Sequence, residues 1–168
     1  MAKFDPCFYS PSPSSRFSSA ACPILYLGDK TVTVFWEIFW DELGPLAEPD
    51  RLLSRNKLIS RDLVSVNAKR SFRVFDATNA RVLKAVSATP GTFTASYDIC
   101  QTWALAIMNH PDRPEGILYP SARHKGGLCL ALFEGRTICA DLDFADQATA
   151  EEASAIRSLL TREKIGLV

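Results

Sequence analysis

The sequence has no excess of charge of either sign, because its 19 Lys and Arg residues balance its 19 Asp and Glu residues. A protein that binds nucleic acid through its surface charge needs a basic surplus, so we expect no direct contact with nucleic acid. Long apolar runs are also missing: the stretch 32–40 is interrupted by Glu37 and falls well short of the roughly 18 residues of a membrane helix. We therefore expect no association with a membrane.

The residues that build common metal and nucleophile sites are scarce. Two histidines and the lack of any C-x-x-C pair predict that there is no metal site. Phosphate-binding glycine loops, an H-E-x-x-H motif and a G-x-S-x-G elbow are missing as well. His124 is predicted to be exposed in a polar turn, and His110 to have a structural role at the end of a helix. The five cysteines are predicted to be buried small apolar side chains: Cys7, Cys22, Cys100, Cys129 and Cys139.

The length and composition indicate one globular domain. The 168 residues, 47% of them hydrophobic, suffice for a core without metal or disulfide support. Residues 1–6 lack the basic and then apolar pattern of a secretory signal, so we expect a cytoplasmic protein. Residues 2–19 are rich in Pro and Ser, which predicts a loop or a mobile arm, although aromatics such as Phe4 and Phe8 argue against full disorder.

Apolar periodicity predicts three helices. Apolar residues at helical spacing from Val32 to Leu43 indicate the first helix, which Gly44 and Pro45 end. The second covers 96–110, with Ser96 as its N-cap. The third covers about 149–163, where residues 149–152 read as a capping box. Some side chains are predicted to lie in the core or on the buried face of the second helix: Trp36, Phe39, Trp40, Ile99, Trp103, Ala106 and Ile107.

Short β-favouring runs lie between these helices and predict an α+β fold in one compact domain. The region 58–86 is predicted to be β-structure, with runs at 63–66 and 71–75. The remaining strands are predicted at 23–27, 116–119, 128–133 and 137–142. The cluster of Lys69, Arg70 and Arg73 is predicted to be a solvated face of a strand.

Three stretches taken together resemble the RES domain family over roughly residues 4–142. They are residues 15–18 (SRFS) followed by 24–27 (ILYL), then Glu37 in the first helix, then 115–123 (EGILYPSAR) leading into 130–133 (LALF). The resemblance implies a bacterial toxin of a toxin–antitoxin pair, with a mainly antiparallel β core similar to that of ADP-ribosyltransferase toxins. It also implies that NAD is the substrate, that no cofactor is needed, and that a cognate helix-turn-helix (Xre-type) antitoxin is the partner.

The chemistry of NAD cleavage suits the residues that carry this resemblance. Nicotinamide leaves without a proton, so the site needs an anion near an oxocarbenium-like ribose rather than an acid catalyst. Glu37 is predicted to be that anion. Arg16 is predicted to act in catalysis and to bind the pyrophosphate, because its planar fork fits phosphate oxygens.

The other predicted site residues follow strands that the resemblance brings together. Ser121, after a strand and a proline, is predicted to contribute its hydroxyl to catalysis and to NAD binding. The ring of Tyr26 is predicted to pack against nicotinamide or ribose. Tyr119 and Arg123 flank Ser121 and are predicted as further NAD-binding residues.

Several functions stay open on the sequence alone. The leading hypothesis is an NAD glycohydrolase or phosphorylase, since no convincing E-x-E or Q-x-E pair is present to activate a protein acceptor. The alternatives are an ADP-ribosyltransferase that modifies a host protein and a catalytically inactive interaction protein with the same fold. A homodimer is also possible.

Overall fold

The computed structural model of the chain describes residues 9–47, 50–137 and 139–168. Strands and helices follow one another in an irregular order typical of an α+β protein. The elements are β1 (Ile24–Gly28), α1 (Thr31–Leu43), β2 (Leu52–Leu53), α2 (Arg55–Ile59), β3 (Asp62–Ala68), β4 (Val74–Asp76), α3 (Ala80–Ala85), α4 (Tyr97–Met108), β5 (Gly116–Pro120), β6 (Leu128–Phe133), β7 (Leu142–Thr149), α5 (Ser154–Arg162) and β8 (Gly166–Leu167).

The main sheet has four strands in the order β1-β6-β5-β4. Its β1/β6 and β5/β6 pairs are antiparallel, whereas β4 runs parallel to β5. Two smaller pairs accompany it, the antiparallel β3/β7 pair and the short parallel β2/β8 pair. The predicted α+β class with mainly antiparallel pairing is confirmed.

Three apolar clusters hold these elements together. The first lies between α4 and one face of the main sheet and includes the fully buried Phe17 and Phe93. The second joins α1 to α5 through side chains such as Phe39 and Ile156. The third fills the space between the other sheet face and β7, around Leu132. The helix α1 therefore connects the C-terminal part of the chain to the sheet.

The described part of the N-terminal segment is packed, so the predicted loop is not a mobile arm there. The Tyr9 hydroxyl donates to the Thr137 carbonyl over 2.9 Å, and Ser10 forms a β-bridge with Ile24. Phe17 is fully buried, because the apolar side of the sheet accepts its ring. Residues 1–8, which include Phe4, Cys7 and Phe8, lie outside the described residues. The predictions for these three side chains and the expectation of no secretory signal therefore stay predictions.

Several predicted elements are wrong in type or position. The region 58–86 contains the helix α3 besides β3 and β4; the Asn79 side chain caps α3 by accepting from the Arg81 amide over 2.9 Å. The strand predicted at 137–142 is wrong, because a 3₁₀ turn occupies Cys139–Asp141 and the strand β7 begins only at Leu142.

The predicted helices are present, with two corrections. One bond of the predicted capping box forms, since the Glu152 amide donates to the Thr149 hydroxyl over 3.3 Å. The Glu152 carboxylate accepts from the Thr149 hydroxyl instead of the Thr149 amide, and α5 begins only at Ser154. On α4 the buried side chains are Cys100, Ala104 and Ile107. Ile99 is 43% exposed and Ala106 is exposed, because the buried face is turned by about one residue from the predicted one.

The cysteines and histidines depart in part from expectation. Cys22, Cys100 and Cys129 are buried and free, as predicted, but Cys139 is exposed and disulfide-bonded. His110 is exposed beside Asp112, whereas His124, predicted to be exposed, is half-buried. Within the described ranges, no helix is both long and apolar enough to cross a membrane.

Lys69, Arg70 and Arg73 are exposed, as predicted, but they lie between β3 and β4 and not on a strand, and Arg70 forms a network of ion pairs. The Arg70 guanidinium donates to Glu115 over 2.6 Å and to both carboxylate oxygens of Asp141 over 2.9 Å. These bonds, with a further one from the Arg73 amide, hold the pKa of Glu115 below its usual value although partial burial opposes the shift.

Candidate active site

A cleft of about 380 Å³ opens beside the main sheet, between α1 and the start of α4. Its wall includes five of the six residues that the sequence singled out as site residues: Arg16, Tyr26, Glu37, Tyr119 and Arg123. Residues more than 100 positions apart therefore meet in one concavity, because β1 and β5 both pair with β6 and α1 follows directly after β1.

The sixth residue, Ser121, is bonded to Glu37. Its hydroxyl donates to Glu37 Oε1 over 2.5 Å, and the Ala122 amide donates to the same oxygen over 3.1 Å. No residue in the described part of the chain donates to the second carboxylate oxygen, Oε2. Glu37 therefore lines the cleft with one oxygen fixed and the other available to a ligand.

The hydrogen-bonding capacity of Ser121 is fully used. The hydroxyl gives its one hydrogen to Glu37 and accepts from the Arg123 and His124 amides over 3.2 and 2.8 Å. Ser121 is not among the described residues that line the cleft. Its position therefore suits orienting Glu37 better than direct contact with a ligand.

Arg16 enters the cleft from the packed N-terminal segment. Its guanidinium lies 5.8 Å from the centre of the Tyr97 ring, makes a long bond of 3.5 Å to the Ala95 carbonyl and also interacts with the Cys100 thiol. Within the described residues it forms no ion pair with a carboxylate. A half-buried arginine with unused donors is suited to bind an anion such as a phosphate.

Tyr26 lies on β1 and holds the segment that carries Arg16. Its hydroxyl accepts from the Phe17 amide over 2.8 Å and lies 2.9 Å from the Ser18 hydroxyl. Burial raises the pKa of Tyr26, and these bonds offset the shift only in part. The Tyr26 ring lines the cleft while its hydroxyl fixes the turn at residues 16–18.

Tyr119 and Cys129 lie at the base of the cleft on paired strands. The Tyr119 ring is almost fully buried and meets Phe17 edge-on, with ring centres 4.7 Å apart. Burial raises the pKa of Tyr119 well above its usual value, and that of Cys129 to about 12; the charge of Glu37 adds to both shifts. Cys129 is therefore a thiol at neutral pH and a poor nucleophile.

Arg123 lines the cleft in a different setting from Arg16. Its guanidinium donates to Asp41 over 2.9 Å and lies over the Trp40 ring. The Asp41 side chain is 86% exposed, so this ion pair contributes little to stability. Binding of an anion to Arg123 requires exchange of this exposed contact.

A comparison with protein-family models agrees with the resemblance that these residues carry. The model of the RES domain matches residues 2–153, which is most of the chain. The chain belongs to the RES domain family.

One solved structure shares the fold of this RES domain. It is the crystal structure of the M. tuberculosis MbcT–MbcA toxin–antitoxin complex, with a TM-score of 0.63 and 19% sequence identity; the match covers 97% of this chain and 84% of that one. A likeness at this identity shows a common fold. No match was found among the curated proteins.

The sequence did not single out three further residues of the cleft in this RES domain. Tyr97 and Ile38 are 42% and 51% exposed at the cleft, and Asp41 pairs with Arg123 there. Ile38 and Asp41 follow Glu37 on α1. Ile38 is an apolar residue outside the helical stripe of that segment, which is a sequence signal that could have found it; Asp41 had no such signal. Tyr97 begins α4, and only the tertiary fold brings it near Arg16.

Proposed function

We propose that this RES domain consumes NAD by cleaving the bond between nicotinamide and ribose, as a glycohydrolase or a phosphorylase. The observation that carries the proposal is the geometry of Glu37. Its Oε1 is held by the Ser121 hydroxyl and the Ala122 amide, and it lines a cleft of about 380 Å³ that also has Arg16 on its wall.

The reaction needs a fixed negative charge more than it needs a proton donor. As the glycosidic bond breaks, the electron pair goes to the nicotinamide nitrogen, which is cationic in NAD and becomes neutral, and positive charge develops on the ribose. A carboxylate that is already oriented stabilises this charge without reorganising during the reaction. The free Oε2 of Glu37 is the oxygen suited to this role.

The rest of the cleft supplies binding. Arg16 has donors available for the pyrophosphate. The ring of Tyr26 offers flat apolar surface for nicotinamide or ribose. Tyr119 borders the binding site at the base of the cleft, where burial keeps its hydroxyl protonated at neutral pH. The reaction is completed when water or phosphate forms a new bond to the anomeric carbon of the ribose; an attacking water releases one proton to the solvent.

We further propose that the protein is a toxin that a cognate helix-turn-helix (Xre-type) antitoxin inhibits. Membership of the RES family and the common fold with a protein whose crystal structure is described as a toxin–antitoxin complex support this part. The ordinary charge balance of the chain agrees with a partner that is a protein rather than a nucleic acid.

The test is NAD consumption by the purified protein, with and without phosphate. Chromatography should show one equivalent of nicotinamide per NAD consumed, with ADP-ribose as the second product if water is the acceptor and its 1″-phosphate if phosphate is. ADP-ribose attached to protein in a lysate would instead indicate a transferase. NAD that stays intact with phosphate, without phosphate and with lysate, at protein concentrations near that of NAD, would contradict the proposal.

A further inference from the structure

A chain of three polar side chains, with the buried Thr33 in its middle, lies next to the proposed catalytic carboxylate and has no part in the chemistry described so far. The Thr33 hydroxyl, on a residue with no exposed surface, donates to Asp29 Oδ1 over 2.7 Å. It also lies 2.9 Å from His124 Nδ1. Asp29 follows β1, Thr33 is in the first turn of α1, and His124 is in the loop 121–127 that follows β5.

Hydrogen counting determines the direction of these bonds. A threonine hydroxyl has one hydrogen, and the Thr33 hydroxyl gives it to Asp29. Burial alone would raise the pKa of Asp29, but the bonds from Thr33 and from the Leu128 amide, with Lys30 nearby, lower it. The carboxylate is thus ionised at neutral pH and only accepts. His124 Nδ1 must therefore carry a hydrogen and donate it to Thr33.

The close approach of the backbone at Gly127 supports a dedicated contact. A Cβ atom at this position would lie 2.6 Å from both His124 Nδ1 and Thr33 Oγ1. Gly127 also closes the loop, because its carbonyl accepts from the Ser121 amide over 2.9 Å and its amide donates to the His124 carbonyl over 3.0 Å. Any larger residue at 127 would separate His124 from Thr33.

The same loop carries the groups that hold Glu37. The Ser121 hydroxyl and the Ala122 amide bind Glu37 Oε1, and the His124 amide binds the Ser121 hydroxyl. Thr33 and Glu37 are four residues apart on α1 and so lie on one side of the helix. Arg123 of the same loop donates to Asp41, one turn further along α1. The loop is therefore attached to α1 at three points that are one turn apart: Thr33, Glu37 and the exposed Asp41.

We infer that His124 and Thr33 are positioning residues: their hydrogen bond, continued to Asp29, fixes the loop 121–127 so that Ser121 and Ala122 hold Glu37 in its productive orientation. This inference rests on the proposed function for its catalytic consequence. The orientation itself is a property of the protein without substrate.

The sharpest test compares His124→Asn with His124→Gln. An asparagine amide N–H can take the place of Nδ1–H, whereas the longer glutamine places its donor nearer to Nε2. We expect His124→Gln to lower kcat for NAD about tenfold or more, because small displacements of catalytic groups are costly, with KM changed less than about twofold. His124→Asn should recover at least about a third of wild-type kcat. Thr33→Val and Thr33→Ser form the same pair on the helix side, with loss expected only for Val.

His110→Gln is the matched control, because it changes the other histidine, which is exposed and accepts from the Asp112 amide over 3.2 Å. This variant should keep wild-type turnover and melting temperature. Equal kcat for His124→Asn and His124→Gln would overturn the inference. So would a loss of kcat in Thr33→Ser as large as in Thr33→Val.

Two measurements without NAD separate this inference from the proposed function. Nitrogen NMR of the imidazole should show His124 protonated at Nδ1. Hydrogen exchange of the Ala122 amide should be faster in His124→Gln than in wild type, and near the wild-type rate in His124→Asn. A His124 protonated only at Nε2, or equal exchange in both variants, would refute the positioning role even if NAD is consumed. If the wild type leaves NAD intact, the proposed function fails and these two measurements still decide the positioning role.

Discussion

Replacing Glu37 by glutamine is the most informative single perturbation of the cleft. The side chain keeps its size, and its amide oxygen can still accept from the Ser121 hydroxyl and the Ala122 amide, which now bind Oε1. The substitution removes the negative charge and leaves the orienting contacts in place. A change in turnover therefore reports on charge and not on misfolding.

The size of the effect follows from Coulomb's law in a half-buried site. A unit charge about 4 Å from a unit positive charge contributes ~4 kcal/mol at an effective dielectric constant of about 20. With about half a unit charge developed on the ribose, the loss is ~2 kcal/mol, or about 30-fold in rate. We expect Glu37→Gln to lower kcat by at least about tenfold with a melting temperature near that of the wild type.

The assay follows nicotinamide release at saturating NAD, with thermal melting as a check of folding. Glu42→Gln is the matched control, since it removes the same charge from the same helix where the side chain pairs with Lys57 over 2.6 Å outside the cleft. Wild-type turnover in Glu37→Gln would exclude Glu37 from the reaction. An equal fall in both variants would show that the helix is sensitive to any loss of charge.

Three further perturbations test the remaining parts. Arg16→Ala should raise KM for NAD about tenfold or more while kcat changes less, because charge-assisted bonds to phosphate contribute ~1.5–3 kcal/mol; an unchanged KM would dismiss the phosphate clamp. Ser121→Ala should lower kcat, and it should reduce the melting temperature by only a few degrees. The variant leaves two backbone amides without a partner, which costs about 1 kcal/mol for each amide. A loss of stability with normal kcat would mean that the serine only closes the loop. Arg70 lowers the pKa of Glu115, so this ion pair contributes stability above about pH 4.3 that is lost as the pH falls through the lower native pKa. Urea unfolding should therefore show Glu115→Gln less stable than wild type at pH 7, with the difference shrinking towards pH 3; a difference that does not change with pH would contradict this.

Elements with a strong local pattern could be predicted from the sequence. The stripe from Val32 to Leu43 matches α1, and the apolar runs at 23–27 and 128–133 match β1 and β6. The pattern is weaker where tertiary contacts decide the structure. The helix α3 has six residues, too few to be stable alone, and Asn79 as its N-cap was the one local sign of it.

The sequence could predict which residues belong to the candidate site, but not how these residues are arranged. The resemblance pointed to Glu37 and Ser121, yet these residues are 84 positions apart and no spacing rule predicts that one donates to the other. The same holds for His124, which looks like an ordinary turn residue until the fold places it against Thr33. The catalytic and binding roles of these residues stay predictions.

The packing of α5 against α1 determines how short a fragment of the chain can be and still fold with its core complete. The family match ends at residue 153 and α5 begins at Ser154, but Ile156, Leu159 and Leu160 belong to the same apolar cluster as Phe35 and Phe39 of α1. A fragment that ends at residue 153 would lack α5. The apolar side of α1, which packs against α5, would then be exposed to water and favour aggregation. The same helix carries Glu37. The family match therefore ends before the part of the chain that completes the core. A fragment for expression should extend through α5, to Arg162 or beyond.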